Sequence, residues 1–147
     1  MERIDTRPAS PVVIYSLRVE FGDCDPAGIV WFPNFFRWID AASRHFFVQR
    51  GVPPWTVTHA TLGIIGTPVV DTHARFVKTA SYGDTLEIHT CIAEWRSKSF
   101  VQRYQVMRGG DLIMECDEVR IFAVRRAGPE TGIQAVPIPP SIRALCT

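Results

Sequence analysis

The chain has 147 residues, of which 46% are hydrophobic and 21% are charged. These values are typical of one globular domain with a core of its own, and they exclude a disordered or low-complexity chain. Sixteen Lys and Arg residues against fifteen Asp and Glu residues leave a net charge of +1. A dedicated binder of nucleic acid or of anionic membranes carries a strong basic excess, so the charge argues against both classes.

The N-terminal segment and the cysteines favour an intracellular protein. Residues 1–10 are polar and lack the apolar region of a secretory signal, and no stretch has the roughly 18 apolar residues of a membrane span. The four cysteines, at positions 24, 91, 116 and 146, form no CxxC pair and have no His at metal-ligand spacing. We therefore expect a soluble cytoplasmic protein with reduced thiols and no bound metal.

The first predicted element is a half-buried strand over residues 12–21. Hydrophobic and polar side chains alternate there, which places every second residue on one face of a sheet. The apolar face comprises Val13, Tyr15, Leu17, Val19 and Phe21. The next segment, GDCDPAG at 22–28, contains two Gly, one Pro and two Asp, so it predicts a loop.

One long amphipathic helix follows the loop. Pro33 suits a helix start, hydrophobic residues recur at helical spacing up to about Arg50, and Gly51 suits the left-handed residue after a helix. The hydrophobic stripe comprises Phe35, Ile39, Ala42 and Phe46. About 17 residues at 1.5 Å each predict a length of roughly 25 Å. A turn and a short, weakly helical segment then reach Leu62.

The rest of the core is predicted to form strands, at 69–77, 85–95, 99–107 and 112–124. Tyr82-Gly83-Asp84 and Gly109-Gly110-Asp111 are hairpin-type connections, which we expect to join neighbouring strands. The residues from 125 to 147 are rich in Gly and Pro and predict an irregular C-terminal tail. The chain is therefore one domain, residues 1–147, with a core at about 12–124.

This order of elements predicts an α+β fold. The predicted order is a strand, one long helix and four antiparallel strands with short turns. The simplest way to bury the apolar stripe of the helix is for the sheet to curl around it. That arrangement is the hot-dog fold, an antiparallel five-stranded sheet wrapped around one long helix.

An acidic loop stands directly before the helix and is the first candidate for chemistry. The free N–H groups of a helix start attract anionic or polarised oxygen. A carboxylate there, such as that of Asp25, can act as a nucleophile or general base on a carbonyl group. The alternative is an Asp that only caps its own backbone. Cys24 is a weaker candidate, because a cysteine hydrolase needs a basic partner and adjacent carboxylates disfavour the thiolate.

Residues 21–47 carry the most specific signal in the sequence. The string FGDCDPAGIVWFPNFFRWIDAASR resembles the signature of the 4-hydroxybenzoyl-CoA thioesterases of the hot-dog superfamily, whose catalytic Asp lies in the loop before the helix. The resemblance covers about residues 17–124 and continues through GVPPW, GTPVV, TASYGD and EWRSKSFVQR. The longer WIDAAS and EWRSKSF strings favour this aromatic-acyl subgroup over the broader acyl-CoA thioesterases.

The resemblance implies a role for nine residues of this chain. It makes Asp25 the catalytic carboxylate and places the backbone N–H of Phe32 on the thioester carbonyl oxygen. It also makes Asp40 the acceptor of a hydrogen bond from the para-hydroxyl of the substrate. The other matches line the substrate site, at Trp55, Thr67 and Pro68, or contact coenzyme A, at Arg96, Lys98 and Ser99.

The implied activity is hydrolysis of 4-hydroxybenzoyl-CoA to 4-hydroxybenzoate and coenzyme A. No cofactor is implied, because coenzyme A is part of the substrate. The family assembles as dimers paired into tetramers with sites between subunits, so we expect self-association and no nucleic-acid or membrane partner. The chain departs from the subgroup in having Phe32 and Phe35 where Tyr is common, and Ser97 where a basic residue is expected.

Several alternatives stay open at this point. Asp40 and Arg44 stand four residues apart and would suit a solvated helix pair. Arg96 and Lys98 would suit exposed strand ends, although Arg and Lys are natural contacts of the phosphates of coenzyme A. The chain would also suit a broader acyl-CoA thioesterase, a hot-dog dehydratase, whose catalytic His would lie nearer the helix start than His45 does, or a non-catalytic acyl-CoA-binding module.

Overall fold

The structure, a computed structural model, describes residues 7–128 and 132–147. The strands are β1 (Val13–Arg18), β2 (Val69–Phe76), β3 (Thr85–Trp95), β4 (Phe100–Arg108), β5 (Asp111–Arg120), β6 (Phe122–Arg125) and β7 (Ile133–Val136). The helices are α1 (Pro33–Gln49), α2 (Trp55–Leu62) and α3 (Pro140–Leu145). None of the described helices is long and apolar enough to cross a membrane.

Five strands form one antiparallel sheet, in the spatial order β1-β3-β4-β5-β2, and this sheet packs around α1. The predicted apolar stripe of α1 is buried at all four positions, and so are the inward-facing residues Leu86, Ile88, Thr90 and Ile92 of β3. Beyond the last turn of α1, Gly51 adopts a φ of 82°, a conformation that side chains disfavour. The predicted five-stranded hot-dog arrangement is therefore confirmed.

The C-terminal segment is not the irregular tail that the sequence predicted. The pairing of β5 ends at Arg120, and β6 leaves the main sheet to pair with β7. The predicted single strand over 112–124 is therefore wrong. Downstream, the buried side chains of Ile138, Ile142 and Cys146 join Phe46, Phe47, Phe100 and Phe122 in a second hydrophobic cluster. Prolines interrupt the periodicity of this segment, but its apolar residues still cover one end of the core.

Two local predictions around β1 and β3 are also wrong. Phe21 lies beyond the end of β1 in a short 3-10 turn, and it is 80% exposed instead of extending the buried face. The turn at 82–84 does not join neighbouring strands, because β2 pairs with β5 at the far side of the sheet. Instead the turn is held against the end of β1, where Val19 donates its N–H to the Asp84 carbonyl oxygen at 2.8 Å.

Candidate active site

The loop that carries Asp25 is a tight turn closed by its own backbone. The Gly28 N–H donates to the Asp25 carbonyl oxygen at 2.9 Å, and the Asp25 N–H donates to that of Ile29 at 2.8 Å. Gly28 has a φ of 80°, which explains a glycine at this position. The Ala27 N–H donates to Oδ1 of Asp25 at 2.9 Å. Asp25 therefore caps its own turn through Oδ1, while Oδ2 has no hydrogen-bond partner among the described residues.

Asp23 fixes this loop to the start of α1. Its carbonyl oxygen accepts hydrogen bonds from the Trp31 N–H at 2.9 Å and from Nδ2 of Asn34 at 2.8 Å. Its carboxylate accepts from the Glu20 N–H at 2.8 Å and pairs with Arg37 at 2.9 Å. Sequence reasoning did not single out Asp23, because its helical partners stand 11 and 14 residues further along.

The start of α1 offers an unpaired donor next to this loop. Within the described part of the chain, the Phe32 N–H makes no hydrogen bond, and Pro33 follows it as the first helical residue. The Phe32 side chain is exposed and packs edge-on against Phe76 of β2, with 6.2 Å between the ring centroids. A backbone N–H at a helix start is well suited to bind a polarised carbonyl oxygen.

Asp25 lines an open cavity of about 490 Å³ with Phe21, Pro26, Gly28 and Tyr82. Cys24 borders the same cavity, but its thiol points to the carbonyl oxygen of Glu20 at 3.9 Å and packs against the main core. The described chain contains no disulfide among its four cysteines. Burial raises the pKa of Cys116 and of Cys146 to about 11, so these two thiols stay protonated and are structural.

A second cavity, of about 590 Å³, brings together all four residues predicted to line the substrate site. Asp40 comes from α1, Trp55 begins α2, and Thr67 with Pro68 belongs to the segment that leads into β2. The lining also includes Ser43, Arg44, Ile65, Gly66, Val69, Arg120 and Ile133. The cavity combines an aromatic ring, small apolar surfaces and a carboxylate, which is the composition that a hydroxylated aromatic ring would need.

Asp40 pairs with Arg120 and not with Arg44. The distance between Oδ1 of Asp40 and the Arg120 guanidinium is 3.1 Å, whereas the Arg44 guanidinium lies over the Trp55 ring at 5.0 Å from its centroid. No ion pair joins Asp40 to Arg44, both of which the structure describes, so the helix-pair alternative is wrong. The Asp40 side chain is 75% exposed, and its carboxylate is therefore accessible from the cavity.

Arg120 and Glu118 form a buried pair behind Asp40 that sequence reasoning did not identify. The pKa of Arg120 is raised: burial opposes its charge, but the neighbouring Tyr104, Glu118 and Asp40 outweigh that effect. In the same cluster, burial raises the pKa of Tyr104. The Tyr104 hydroxyl lies near Ser43 and Glu118 without a hydrogen bond of regular geometry. Alternation along a strand could have suggested that Glu118 and Arg120 share the inward face.

The three residues predicted to contact coenzyme A lie in the turn between β3 and β4. The Arg96 N–H donates to the Ser99 carbonyl oxygen at 2.9 Å and closes the turn. The Arg96 side chain pairs with Glu94 at 3.2 Å, and Lys98 is exposed. None of the three residues lines either of the two cavities. One chain thus presents Asp25, the Asp40 cavity and the basic turn at three separate places.

Comparison with known proteins gives one consistent family. Residues 19–145 match the model of the thioesterase-like superfamily. The chain is 54% identical over 135 residues to a 4-hydroxybenzoyl-CoA thioesterase of Pseudomonas sp. strain CBS-3, covering 88% of this chain and 94% of that protein.

Solved structures agree with this match. An aspartate-to-asparagine mutant of a 4-hydroxybenzoyl-CoA thioesterase, complexed with 4-hydroxybenzoyl-CoA, is 50% identical and has a TM-score of 0.85, covering 92% of this chain and 99% of that one. A gentisyl-coenzyme A thioesterase is 32% identical and has a TM-score of 0.74. The match covers 91% of this chain and 98% of that one. The chain belongs to the thioesterase-like superfamily.

Proposed function

We propose that the protein hydrolyses 4-hydroxybenzoyl-CoA to 4-hydroxybenzoate and coenzyme A. The observation that carries the proposal is the cavity in which Trp55, Thr67 and Pro68 surround an accessible carboxylate, that of Asp40. An aromatic wall contacts the ring of the acyl group, and the carboxylate accepts the hydrogen bond of its para-hydroxyl. The 54% identity to the Pseudomonas enzyme supports the same substrate.

The chemistry is assigned to the loop before α1. Oδ2 of Asp25 either attacks the thioester carbonyl carbon or removes a proton from an attacking water molecule. The Phe32 N–H donates to the carbonyl oxygen, on which negative charge develops as the tetrahedral intermediate forms. Collapse of the intermediate expels the thiolate of coenzyme A, a good leaving group that needs no strong general acid. If Asp25 is the nucleophile, this step leaves a mixed anhydride between Asp25 and the acyl group, which a water molecule then hydrolyses to the free acid and the Asp25 carboxylate. This route calls on no cofactor.

The site is proposed to combine residues of two subunits. Asp25 and Asp40 line two separate cavities of one chain, so a site that contains both carboxylates would be completed by a second copy. The edge strand β2 has exposed apolar side chains, including Val69, Val70 and Phe76, and an unpaired strand edge invites a second strand. We infer that two copies pair through β2 and that two such dimers form a homotetramer. This pairing would bring the Asp25 loop of one copy to the Asp40 cavity of the other.

Mixing of two impaired variants tests this arrangement. The Asp25→Asn and Asp40→Ala chains, co-expressed with different tags and purified as a mixed dimer, should regain about half of the wild-type activity on 4-hydroxybenzoyl-CoA. The reason is that one of the two sites then receives both native residues. The control is each variant purified alone. A mixed dimer that is no more active than the mean of the two parents would show that both residues act within one chain.

A thiol-release assay over a panel of coenzyme A thioesters tests the function itself. The panel contains 4-hydroxybenzoyl-, benzoyl-, short-chain and long-chain fatty acyl-CoA. The proposal expects the highest kcat/KM for 4-hydroxybenzoyl-CoA. A broad acyl-CoA thioesterase, the second candidate, would prefer or equally accept the aliphatic chains, a dehydratase would release no thiol, and a binding module would bind the panel without turnover.

Replacement of the basic turn residues tests the assignment of coenzyme A binding. The Arg96→Ala and Lys98→Ala variants should mainly raise KM, by about tenfold together, with little change in kcat. Phosphate contacts far from the carbonyl stabilise the substrate and the transition state alike. The defect should nearly vanish with a truncated thioester that lacks the nucleotide. An equal loss on the truncated and the complete substrate would mean that these residues only shape the turn.

A cytoplasmic location belongs to the same proposal. Free cysteines in the described chain are typical of a reducing compartment, and coenzyme A itself is a free thiol that must stay reduced there.

A further inference from the structure

Arg120 is the last residue of β5 and joins three parts of the molecule around the Asp40 cavity. Its Nη1 donates to the Thr67 carbonyl oxygen at 2.8 Å, in the segment before β2. Its Nε and Nη2 donate to Oε1 of Glu118 at 3.0 and 2.8 Å. Nη2 also donates to Oδ1 of Asp40 on α1 at 3.1 Å. All three nitrogens of one guanidinium are thus bonded, and its orientation is fixed.

The exposure of these side chains increases towards the cavity. The side chains of Arg120 and Glu118 are 4% and 6% exposed, whereas that of Asp40 is 75% exposed. A buried ion pair often contributes little to stability compared with well-packed apolar residues. Stability alone therefore gives little reason for an arginine here, while its bond to an accessible carboxylate gives a functional one.

The bond to Arg120 leaves Asp40 with one free oxygen. Oδ1 is held by the guanidinium, and Oδ2 has no hydrogen-bond partner within the described ranges 7–128 and 132–147. Arg44, the other cation on the cavity wall, lies over Trp55 and does not compete for the carboxylate. The direction in which Oδ2 faces is therefore decided by Arg120, whose own position is decided by Glu118 and the Thr67 carbonyl group.

We propose that Arg120 is a positioning residue that sets the preference of the cavity for a hydroxylated aromatic ring. It pins one oxygen of Asp40 so that the other accepts the hydrogen bond of the ring hydroxyl, and it ties α1 to the Thr67 wall of the same cavity. This inference rests on the proposed function. Arg120 itself need not touch the substrate.

The test is the ratio of kcat/KM for 4-hydroxybenzoyl-CoA to that for benzoyl-CoA. The Arg120→Lys variant keeps a cation, but an ammonium group cannot reproduce the planar fork that reaches three acceptors at fixed angles. We expect the ratio to fall at least about fivefold, because kcat/KM for 4-hydroxybenzoyl-CoA falls. The kcat/KM for benzoyl-CoA should change less than about twofold. In an Asp40→Ala background, Arg120→Lys should change the ratio no further. A fall of kcat/KM by the same factor for both substrates would overturn the proposal, because loss of a merely structural arginine would impair turnover of both alike.

Arg103 provides a matched control for this substitution. It forms a two-point ion pair with Asp117 between β4 and β5, at 3.0 and 3.2 Å, and lines neither cavity. Arg103→Lys should leave the ratio unchanged, and an equal fall of the ratio in this variant would count against a specific role of Arg120.

A second variant covers the case in which Arg120→Lys does not fold. The double variant Glu118→Gln/Arg120→Gln removes both buried charges together, so no unpaired buried charge remains. It should show the same fall in the ratio, and an unchanged ratio would overturn the proposal. Failure of the proposed function is recognised separately, because the wild-type ratio would then already be near one.

Discussion

Replacement of Asp25 by Asn should leave the protein folded and able to bind substrate, while kcat falls by about 10³-fold or more. The amide keeps the size of the side chain and its Oδ1, which accepts the Ala27 N–H at 2.9 Å, so the turn is preserved. What is lost is the second oxygen, the charged Oδ2, to which we assign attack on the carbonyl carbon or activation of water. Single-turnover kinetics together with a binding titration would measure the two effects separately. A variant that retains a tenth of wild-type turnover would remove Asp25 from the mechanism.

Isotope labelling distinguishes the two roles that Asp25 can have. If Asp25 is the nucleophile and water then attacks the Asp25 carbonyl carbon of the mixed anhydride, a single turnover in ¹⁸O-water should leave the product of the first turnover unlabelled and place the label in the Asp25 carboxylate. If Asp25 is a general base, the label should appear in the product alone. The wild-type enzyme is used for this experiment, and the Asp25→Asn variant serves as the control for exchange without catalysis.

The second large effect is expected at Asp40. Wild-type kcat/KM should be at least about tenfold higher for 4-hydroxybenzoyl-CoA than for benzoyl-CoA, and Asp40→Ala should remove most of this difference. A hydrogen bond to a charged group contributes about 1.5–3 kcal/mol, which corresponds to about 10- to 150-fold. The Asp40 side chain is 75% exposed in one chain, so we expect the bound ring and the second subunit proposed above to supply the desolvation that makes this bond strong. The kcat/KM values of both substrates in both proteins provide the measurement.

A control separates this effect from loss of stability. The Asp40→Ala variant should unfold with a free energy within about 1 kcal/mol of wild type, because its partner Arg120 keeps its bonds to Glu118 and to the Thr67 carbonyl oxygen. Thermal or urea unfolding would check this. A wild-type substrate ratio near one would rule out the 4-hydroxybenzoyl assignment, even if thioesterase activity remains.

The sequence by itself determined the architecture of the core. Alternation along β3 and helical periodicity along α1 are local patterns, and both are buried as predicted because each element meets its neighbours along one continuous face. The family signature likewise selected Asp40, Trp55, Thr67 and Pro68, which the structure brings into one cavity. Their roles in substrate binding, and the role of Asp25 in catalysis, stay predictions for the experiments above.

Only the tertiary structure decided the features that depend on contacts between distant segments. The partner of Asp40 was expected four residues away at Arg44, but it is Arg120, which is 80 residues away along the chain. Likewise β6, β7 and α3 became ordered elements because they close the end of the core beside Phe47 and Phe122. Local spacing specifies which face of an element is apolar, but it contains no information on which distant side chain occupies the space opposite that face. In this protein such a long-range contact, from Arg120, holds the Asp40 carboxylate at the wall of its cavity.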